Sequence, residues 1–290
     1  MKEISLQAYA KINLGLDVLR KRDDGYHEVR MIMQSISLAD TLILRKISEN
    51  TIRLLSDDGK EHPDVPMNES NLIYRAIRLL KEEFRLEEGV EAVLSKRIPV
   101  AAGMAGGSTD AAAALKGMNQ LFHLNLSMQE LCDRGVGLGA DIPYCIMGGT
   151  ALSEGIGEIL TPLPKIADCW ILVAKPPINV STAFVYGNLK VQELKEHPDI
   201  DGMIQAIRLE DMQGVSDRLG NVLETVTVPA YPVIATIKDI MMKNGAMQAL
   251  MSGSGPTVFS IFDTEEKALK AGEKIQNAGL SNQIYVTYPV

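Results

Sequence analysis

Residues 99–110 constrain this chain more than any other stretch: Pro99-Val100-Ala101-Ala102-Gly103-Met104-Ala105-Gly106-Gly107-Ser108-Thr109-Asp110. An apolar alternating run over 90–98 precedes them, and an alanine-rich helical pattern follows to about Phe122. A strand that turns through glycines into a helix leaves the first helical N–H groups unpaired at the positive end of the dipole. Such groups can hold an anion. Gly103, Gly106 and Gly107 allow φ > 0 and close approach of a ligand. Ser108, Thr109 and Asp110 can cap the helix or hold a phosphate or its metal. The plain alternative is a tight strand–helix turn with ordinary capping. No G-x-x-x-x-G-K-[ST] run is present, so this is not a Walker A loop. The nearest dinucleotide-type pattern, Gly135-Val136-Gly137-Leu138-Gly139-Ala140, follows a helical pattern rather than a strand and fails that context. Met31 stands where a zinc-protease pattern starting at His27-Glu28 needs its second histidine.

Composition narrows the function classes. At 290 residues the chain has room for two domains. Hydrophobic residues make up 46% and charged residues 23%, which excludes wholesale disorder. A net charge of −8 argues against a nucleic-acid-coating surface, so an anionic ligand needs locally arranged positive groups. Cys132, Cys145 and Cys169 form no C-x-x-C pair, which excludes a zinc ribbon and a disulfide framework. They read as reduced thiols of a cytoplasmic protein. The apolar run 169–174 is far short of the ~20 residues of a membrane helix, and the N-terminus lacks the apolar core of a secretory signal.

Alternation at Ile4, Leu6 and Ala8, then Ile12 to Val18, then Val29 to Met33, predicts antiparallel strands with one wet face over the first sixty residues. Arg22-Asp23-Asp24-Gly25 is a turn signal. A helix is expected over about 70–85, and another from Ser127, where Glu130 completes a capping box. The glycine-rich Glu154–Glu158 follows a strand at 150–153 and reads as the approach to a domain boundary. Beyond it come a buried strand at 170–175, a helix at 233–243, strands at 247–251 and 257–262, a helix at 264–278 and a strand at 283–287. Leaving out the insertion after the first of these strands, the order is β-α-β-β-α-β, the split βαβ of ferredoxin-like domains.

These blocks together resemble the GHMP kinases, the superfamily of galactokinase, homoserine kinase, mevalonate kinase and phosphomevalonate kinase. Residues 99–109 match its Pro-x3-Gly-[Leu/Met]-[Ala/Gly]-Gly-Gly-Ser-Ser-like loop, with alanines at 101, 102 and 105 where relatives often have glycine. Ala10-Lys11-Ile12-Asn13-Leu14, Asp24-Gly25-Tyr26-His27, Leu138–Pro143 and Gly155-Ile156-Gly157-Glu158 resemble the branch that phosphorylates the 2-hydroxyl of 4-diphosphocytidyl-2-C-methyl-D-erythritol. That reaction lies on the non-mevalonate route to isoprenoid precursors. Ser252-Gly253-Ser254-Gly255-Pro256 matches the third family motif. The resemblance implies an α+β fold in two domains. One is an N-terminal, β-rich domain over 1–155 with the phosphate loop, and the other is a C-terminal ferredoxin-like domain over 160–290.

The resemblance also implies roles. ATP is the phosphoryl donor, its phosphates held by Pro99, Val100, Ala101, Ala102, Gly103, Met104, Ala105, Gly106, Gly107, Ser108 and Thr109. Magnesium is expected with ATP, and Ser108 is a candidate ligand. Asp141 is the implied general base and Lys11 the electrostatic stabiliser. Asn13 lies two residues on, on the same strand face. Tyr26 and His27 fall at the cytosine of a cytidine-diphosphate-linked polyol, with Tyr186 as a second aromatic wall and Thr182 near the substrate hydroxyls. The residue-level alternatives are a turn cap at Asp141, a water-facing strand-edge lysine at Lys11 and a hairpin Tyr26 packed on its neighbour. Lys96 and Arg97 flank the loop and could meet phosphate, but a solvated strand end is the reading preferred for them. The rival functions are a GHMP kinase of another small alcohol, such as homoserine or mevalonate, and a non-catalytic ligand-binding protein on the same fold. No nucleic acid or membrane partner is expected.

Overall fold

The computed structural model describes residues 2–59 and 64–290. In chain order the first elements are β1 (Glu3–Lys21), β2 (His27–Ile47), β3 (Ile52–Ser56), α1 (Leu72–Glu83), β4 (Gly89–Ser95), α2 (Gly106–Leu121), α3 (Met128–Val136), α4 (Ile142–Met147), β5 (Thr150–Gly155) and β6 (Ile159–Leu163). There follow β7 (Trp170–Lys175), α5 (Thr182–Asn188), α6 (Ile200–Arg208), α7 (Met212–Ser216), β8 (Gly220–Asn221), α8 (Glu224–Ala230), α9 (Val233–Lys243), β9 (Gln248–Met251), β10 (Val258–Phe262), α10 (Glu265–Asn277) and β11 (Gln283–Thr287).

The chain forms two compact units that interleave in sequence. The first takes residues up to Ala10, Ala39–Val100 and Ala105–Met147, and the second takes Lys11–Leu38, Ala101–Met104 and Gly148–Val290. They do not divide at 155–160, where the sequence suggests a cut. That point is the turn of the β5–β6 hairpin, in which Glu154 pairs with Ile159. Gly155 (φ +72°) and Gly157 (φ +118°) supply the left-handed backbone of the turn, and Ser153 Oγ donates to Gly157 O at 2.9 Å. The glycine-rich passage is therefore a tight hairpin turn rather than a linker.

In the first unit, β4 pairs antiparallel with Thr41–Ile47 of β2 and parallel with β3. Helix α1 starts at Asn71, whose side chain accepts from Ile73 N, a cap that contributes roughly 1 kcal/mol. Its buried stripe is Ile73, Ala76, Ile77 and Leu80, and it packs against α2. Helix α2 reaches the sheet closely because Gly117 has no Cβ; one would lie 2.6 Å from Leu44 Cδ1 and 2.8 Å from Leu6 Cδ1. The Ser127–Glu130 capping box is present at the head of α3.

In the second unit, Val29–Gln34 of β2 pairs antiparallel with β5, and Gly15–Leu16 of β1 pairs parallel with β8. A separate four-stranded sheet has the order β11-β7-β10-β9, all neighbours antiparallel. Helices α9 and α10 connect its strands, giving the expected ferredoxin-like order. The predicted wet face of β1 is absent over its middle, because every residue from Ala10 to Val18 is buried. Alternation reports which face is more apolar, not whether the other face is covered.

Candidate functional site

The glycine loop differs from its sequence reading in where the strained backbone sits. Ala101 (φ +51°), Gly103 (φ +70°) and Ala105 (φ +57°) are left-handed, whereas Gly106 and Gly107 are the first two residues of α2. The glycines at 106 and 107 serve space instead. A Cβ on Gly106 would lie 3.0 Å from Lys96 Nζ and 3.2 Å from Ile98 Cγ2, and one on Gly107 would meet only Leu72 Cδ1 at 3.7 Å. Ala105 occupies the N-cap position of α2 without a side-chain cap bond, so the first-turn N–H groups are not spent on a capping side chain. An open approach at Gly107 and uncapped N–H groups fit a phosphate chain. Thr109 Oγ1 donates to Tyr9 O at 2.8 Å and is buried, while Ser108 is half-buried. Of the two hydroxyls, Ser108 is the more accessible. Pro99 is buried and Val100 exposed.

Lys96 is not a solvated strand end. Its side chain is 13% exposed, and Nζ donates to Asp40 Oδ2 at 2.5 Å and to Asp110 Oδ2 at 2.7 Å. Asp40, fully buried, also accepts from Arg97 N at 2.5 Å and Ile98 N at 2.8 Å. One ammonium thus serves two buried carboxyl groups. Burial pushes Asp110 up to about 8 against the pull of Lys96, with Asp40 adding to the rise, and Asp110 Oδ1 has no partner. The same two carboxyl groups outweigh burial at Lys96 and raise its pKa. Sequence reading missed Asp40 as a partner; its signal is an aspartate inside the apolar run Leu38–Leu44.

Asp141 is half-buried immediately before α4, and its carbonyl accepts from Cys145 N at 3.0 Å to open that helix. Pro143 is tolerated in the first turn, and Gly148 and Gly149, both at positive φ, end it. Short α4 therefore holds Asp141 at a fixed helix start.

Lys11 is buried in β1 rather than facing water at an edge, and its Nζ donates to Asn13 Oδ1 at 2.8 Å. Asn13 is fully buried and donates on to Met31 Sδ at 3.4 Å. The Lys11 backbone N–H donates to Met104 O at 3.2 Å, so β1 also fixes the Ala101–Met104 stretch of the loop. Within the second unit the structure thus brings Lys11, Asn13 and this stretch together. A second cluster lies at the hairpin turn and α5. The rings of His27 and Tyr186 are 5.1 Å apart and tilted by 44°. Burial, then the nearby Lys21 charge, lowers the His27 pKa, so its ring is neutral at pH 7. Tyr26 is 59% exposed on the Arg22–Asp24 turn, where its N–H donates to Asp24 Oδ1. Thr182 and Tyr186 lie one turn apart on α5, and Thr182 Oγ1 is 2.9 Å from Ser254 Oγ.

Among the described residues no three His, Cys, Asp or Glu side chains group as a metal site. No described helix is long and apolar enough to cross a membrane.

The chain matches the models of the GHMP kinases N terminal domain over residues 71–149 and the GHMP kinases C terminal region over 203–281. It is 54% identical to a 4-diphosphocytidyl-2-C-methyl-D-erythritol kinase of Lachnospira eligens, over 99% of this chain and 98% of that one. It is 46% identical to one of Enterococcus faecalis, over 98% of each. A crystal structure of 4-(cytidine 5'-diphospho)-2C-methyl-D-erythritol kinase superposes with a TM-score of 0.83 at 29% identity, covering 99% of both chains. Homoserine kinase from Cytophaga hutchinsonii, at 19% identity and a TM-score of 0.74 over 100% of this chain and 95% of that one, shares the fold.

Proposed function

The chain belongs to the GHMP kinases, in the group of the 4-diphosphocytidyl-2-C-methyl-D-erythritol kinases, and from that premise we propose how it acts. It transfers the γ-phosphoryl group of ATP to the 2-hydroxyl of 4-diphosphocytidyl-2-C-methyl-D-erythritol, in the cytoplasm, on the non-mevalonate route to isoprenoid precursors. The full-length identity to that group carries the reading.

Phosphoryl transfer asks the protein mainly for positioning and charge stabilisation. The loop Pro99–Thr109 holds the triphosphate through its backbone and the head of α2. Asp141 takes the hydroxyl proton as the new O–P bond forms and ADP departs. A positioned base of this kind contributes ~10²–10⁴-fold. Lys11, held by Asn13, faces the developing negative charge as a buried cation. Magnesium, when bound with ATP, neutralises phosphate charge, and Ser108 is the side chain that would reach it.

For the acceptor, Tyr26 stacks on the cytosine, worth ~1–3 kcal/mol. Neutral His27 suits the base edge because it offers one donor and one acceptor to a ring that has both. Tyr186 walls the base, and Thr182 and Asn13 orient the polyol. Homoserine or mevalonate would leave Tyr26, His27 and Tyr186 without a ring to bind. The test is ADP release with Mg-ATP and each of three acceptors. Turnover with the cytidylyl polyol and not with homoserine or mevalonate is expected; turnover with either small alcohol instead would discard the cytosine site.

A further inference from the structure

The turn Ser252–Pro256 is built against the glycine loop. Ser252 Oγ donates to Gly103 O at 3.1 Å, and a Cβ on Gly103 would lie 2.4 Å from Ser252 O. The same turn carries Ser254, the partner of Thr182. Whatever fixes this turn therefore fixes one side of the loop.

Two residues outside the short sequence motifs do so. Asn221 is buried in β8, and its Nδ2 donates to Met251 O and to Gly253 O, each at 2.8 Å. Its Oδ1 accepts from Leu223 N at 3.0 Å, so both amide hydrogens and the oxygen are used. Glu224, three residues on, accepts from Met251 N at 2.8 Å and is held by Lys238 Nζ at 2.7 Å to both oxygens. Met251 thus has its N–H and its C=O gripped by side chains of one Asn-x-x-Glu segment. The segment is anchored in turn to β1, where Leu16 pairs with Asn221 and Leu16 O accepts from Val222 N at 3.1 Å.

We propose that Asn221, with Glu224, is a positioning residue of the kinase: it sets the 252–256 turn against Gly103 and so fixes the nucleotide-binding conformation of the loop. This rests on the reading that the loop binds ATP. A merely structural Asn221 would act by capping Leu223 N–H. Asn221→Asp keeps that cap but turns two donors into acceptors aimed at carbonyls, while Asn221→Ala removes everything. Val222→Ala trims a buried neighbour and leaves the Asn221 and Glu224 hydrogen bonds to Met251 and Gly253 in place.

The measurement is calorimetric binding of ADP and of a non-hydrolysable ATP analogue to the full chain, with thermal unfolding followed alongside. About tenfold weaker nucleotide binding is expected for both Asn221 variants, with Val222→Ala within twofold of wild type. Wild-type affinity in Asn221→Asp would overturn the proposal and leave only the cap. Wild-type affinity in both Asn221 variants would overturn it outright. If the Asn221 variants do not fold, Ser252→Ala decides, since it deletes one hydroxyl facing Gly103 O. A several-fold loss supports the brace, and unchanged binding overturns it. Failure of the wild type to bind nucleotide is seen before any variant is made, and refutes the ATP reading rather than the clamp.

Discussion

Exchanging glycine and alanine within the phosphate loop should move stability in opposite directions at Gly103 and Ala105, two residues apart and both left-handed. Gly103 sits at φ +70° with Ser252 O 2.4 Å and Gly255 O 3.2 Å from any added Cβ. Gly103→Ala therefore costs roughly 1–2 kcal/mol for a left-handed alanine. Displacing the 252–256 turn also loses the Ser252–Gly103 hydrogen bond, about 0.5–1.5 kcal/mol. The stiffer unfolded chain returns about 0.4–1 kcal/mol. The net is a loss of about 0.5–3 kcal/mol. Ala105→Gly, at φ +57° in the same loop, relieves the left-handed cost and forfeits the unfolded-state term, a gain of up to about 1.6 kcal/mol. Urea unfolding of the two variants beside wild type reads both signs. Phosphoryl transfer should fall at least tenfold in Gly103→Ala, because small displacements of a positioned donor are costly. Wild-type stability and activity in Gly103→Ala would refute the reasoning that this glycine is required by both its φ and its neighbour. Destabilisation by Ala105→Gly would refute the assignment of strain to the alanine.

Three further outcomes follow from the site. Asp110 has a folded pKa of about 8 against an ordinary carboxyl value near 3.8, so the folded state holds a proton the unfolded chain loses. Its contribution to stability is full below about 4 and falls as pH rises toward 8. Asp110→Asn should flatten that slope and stabilise the protein at pH 8; an unchanged pH–stability curve would count against the buried proton. Asp141→Asn should cut turnover by ~10²–10⁴-fold while nucleotide affinity holds, checked by single-turnover transfer and calorimetry. Tyr26→Ala should weaken binding of the cytidylyl substrate far more than that of ATP, and equal losses would make Tyr26 a structural residue only.

Where local pattern and tertiary context agree, the sequence is a good guide. Helix α9 and strand β11 fall on their predicted bounds, since apolar periodicity and a following glycine or turn mark them. The capping box at Ser127 is legible because all its bonds are local. What tertiary contacts decide is not legible. Strand β6 includes Pro162 and has little buried surface, so no alternation announces it. Lys96 reads as solvated because its two partners, Asp40 and Asp110, are 56 and 14 residues away. Residue type also misplaced the strain in the glycine loop: Ala101 and Ala105 take the left-handed conformation, while Gly106 is required by the crowding of Lys96 and Ile98. The candidate chemistry at Lys11, Asp141, Tyr26 and His27 was legible only as motif blocks, and Asn221 and Glu224 were not legible, because their role depends on a turn thirty residues on.

The most direct test of the account is the position of the new phosphate. Wild-type protein is incubated with Mg-ATP and 4-diphosphocytidyl-2-C-methyl-D-erythritol, and the product is followed by ³¹P and ¹³C NMR. The account predicts one new phosphate monoester, coupled to the carbon bearing the 2-hydroxyl, formed in step with ADP. An ester on a different hydroxyl, or ADP formed with free phosphate and an unchanged polyol, would contradict it.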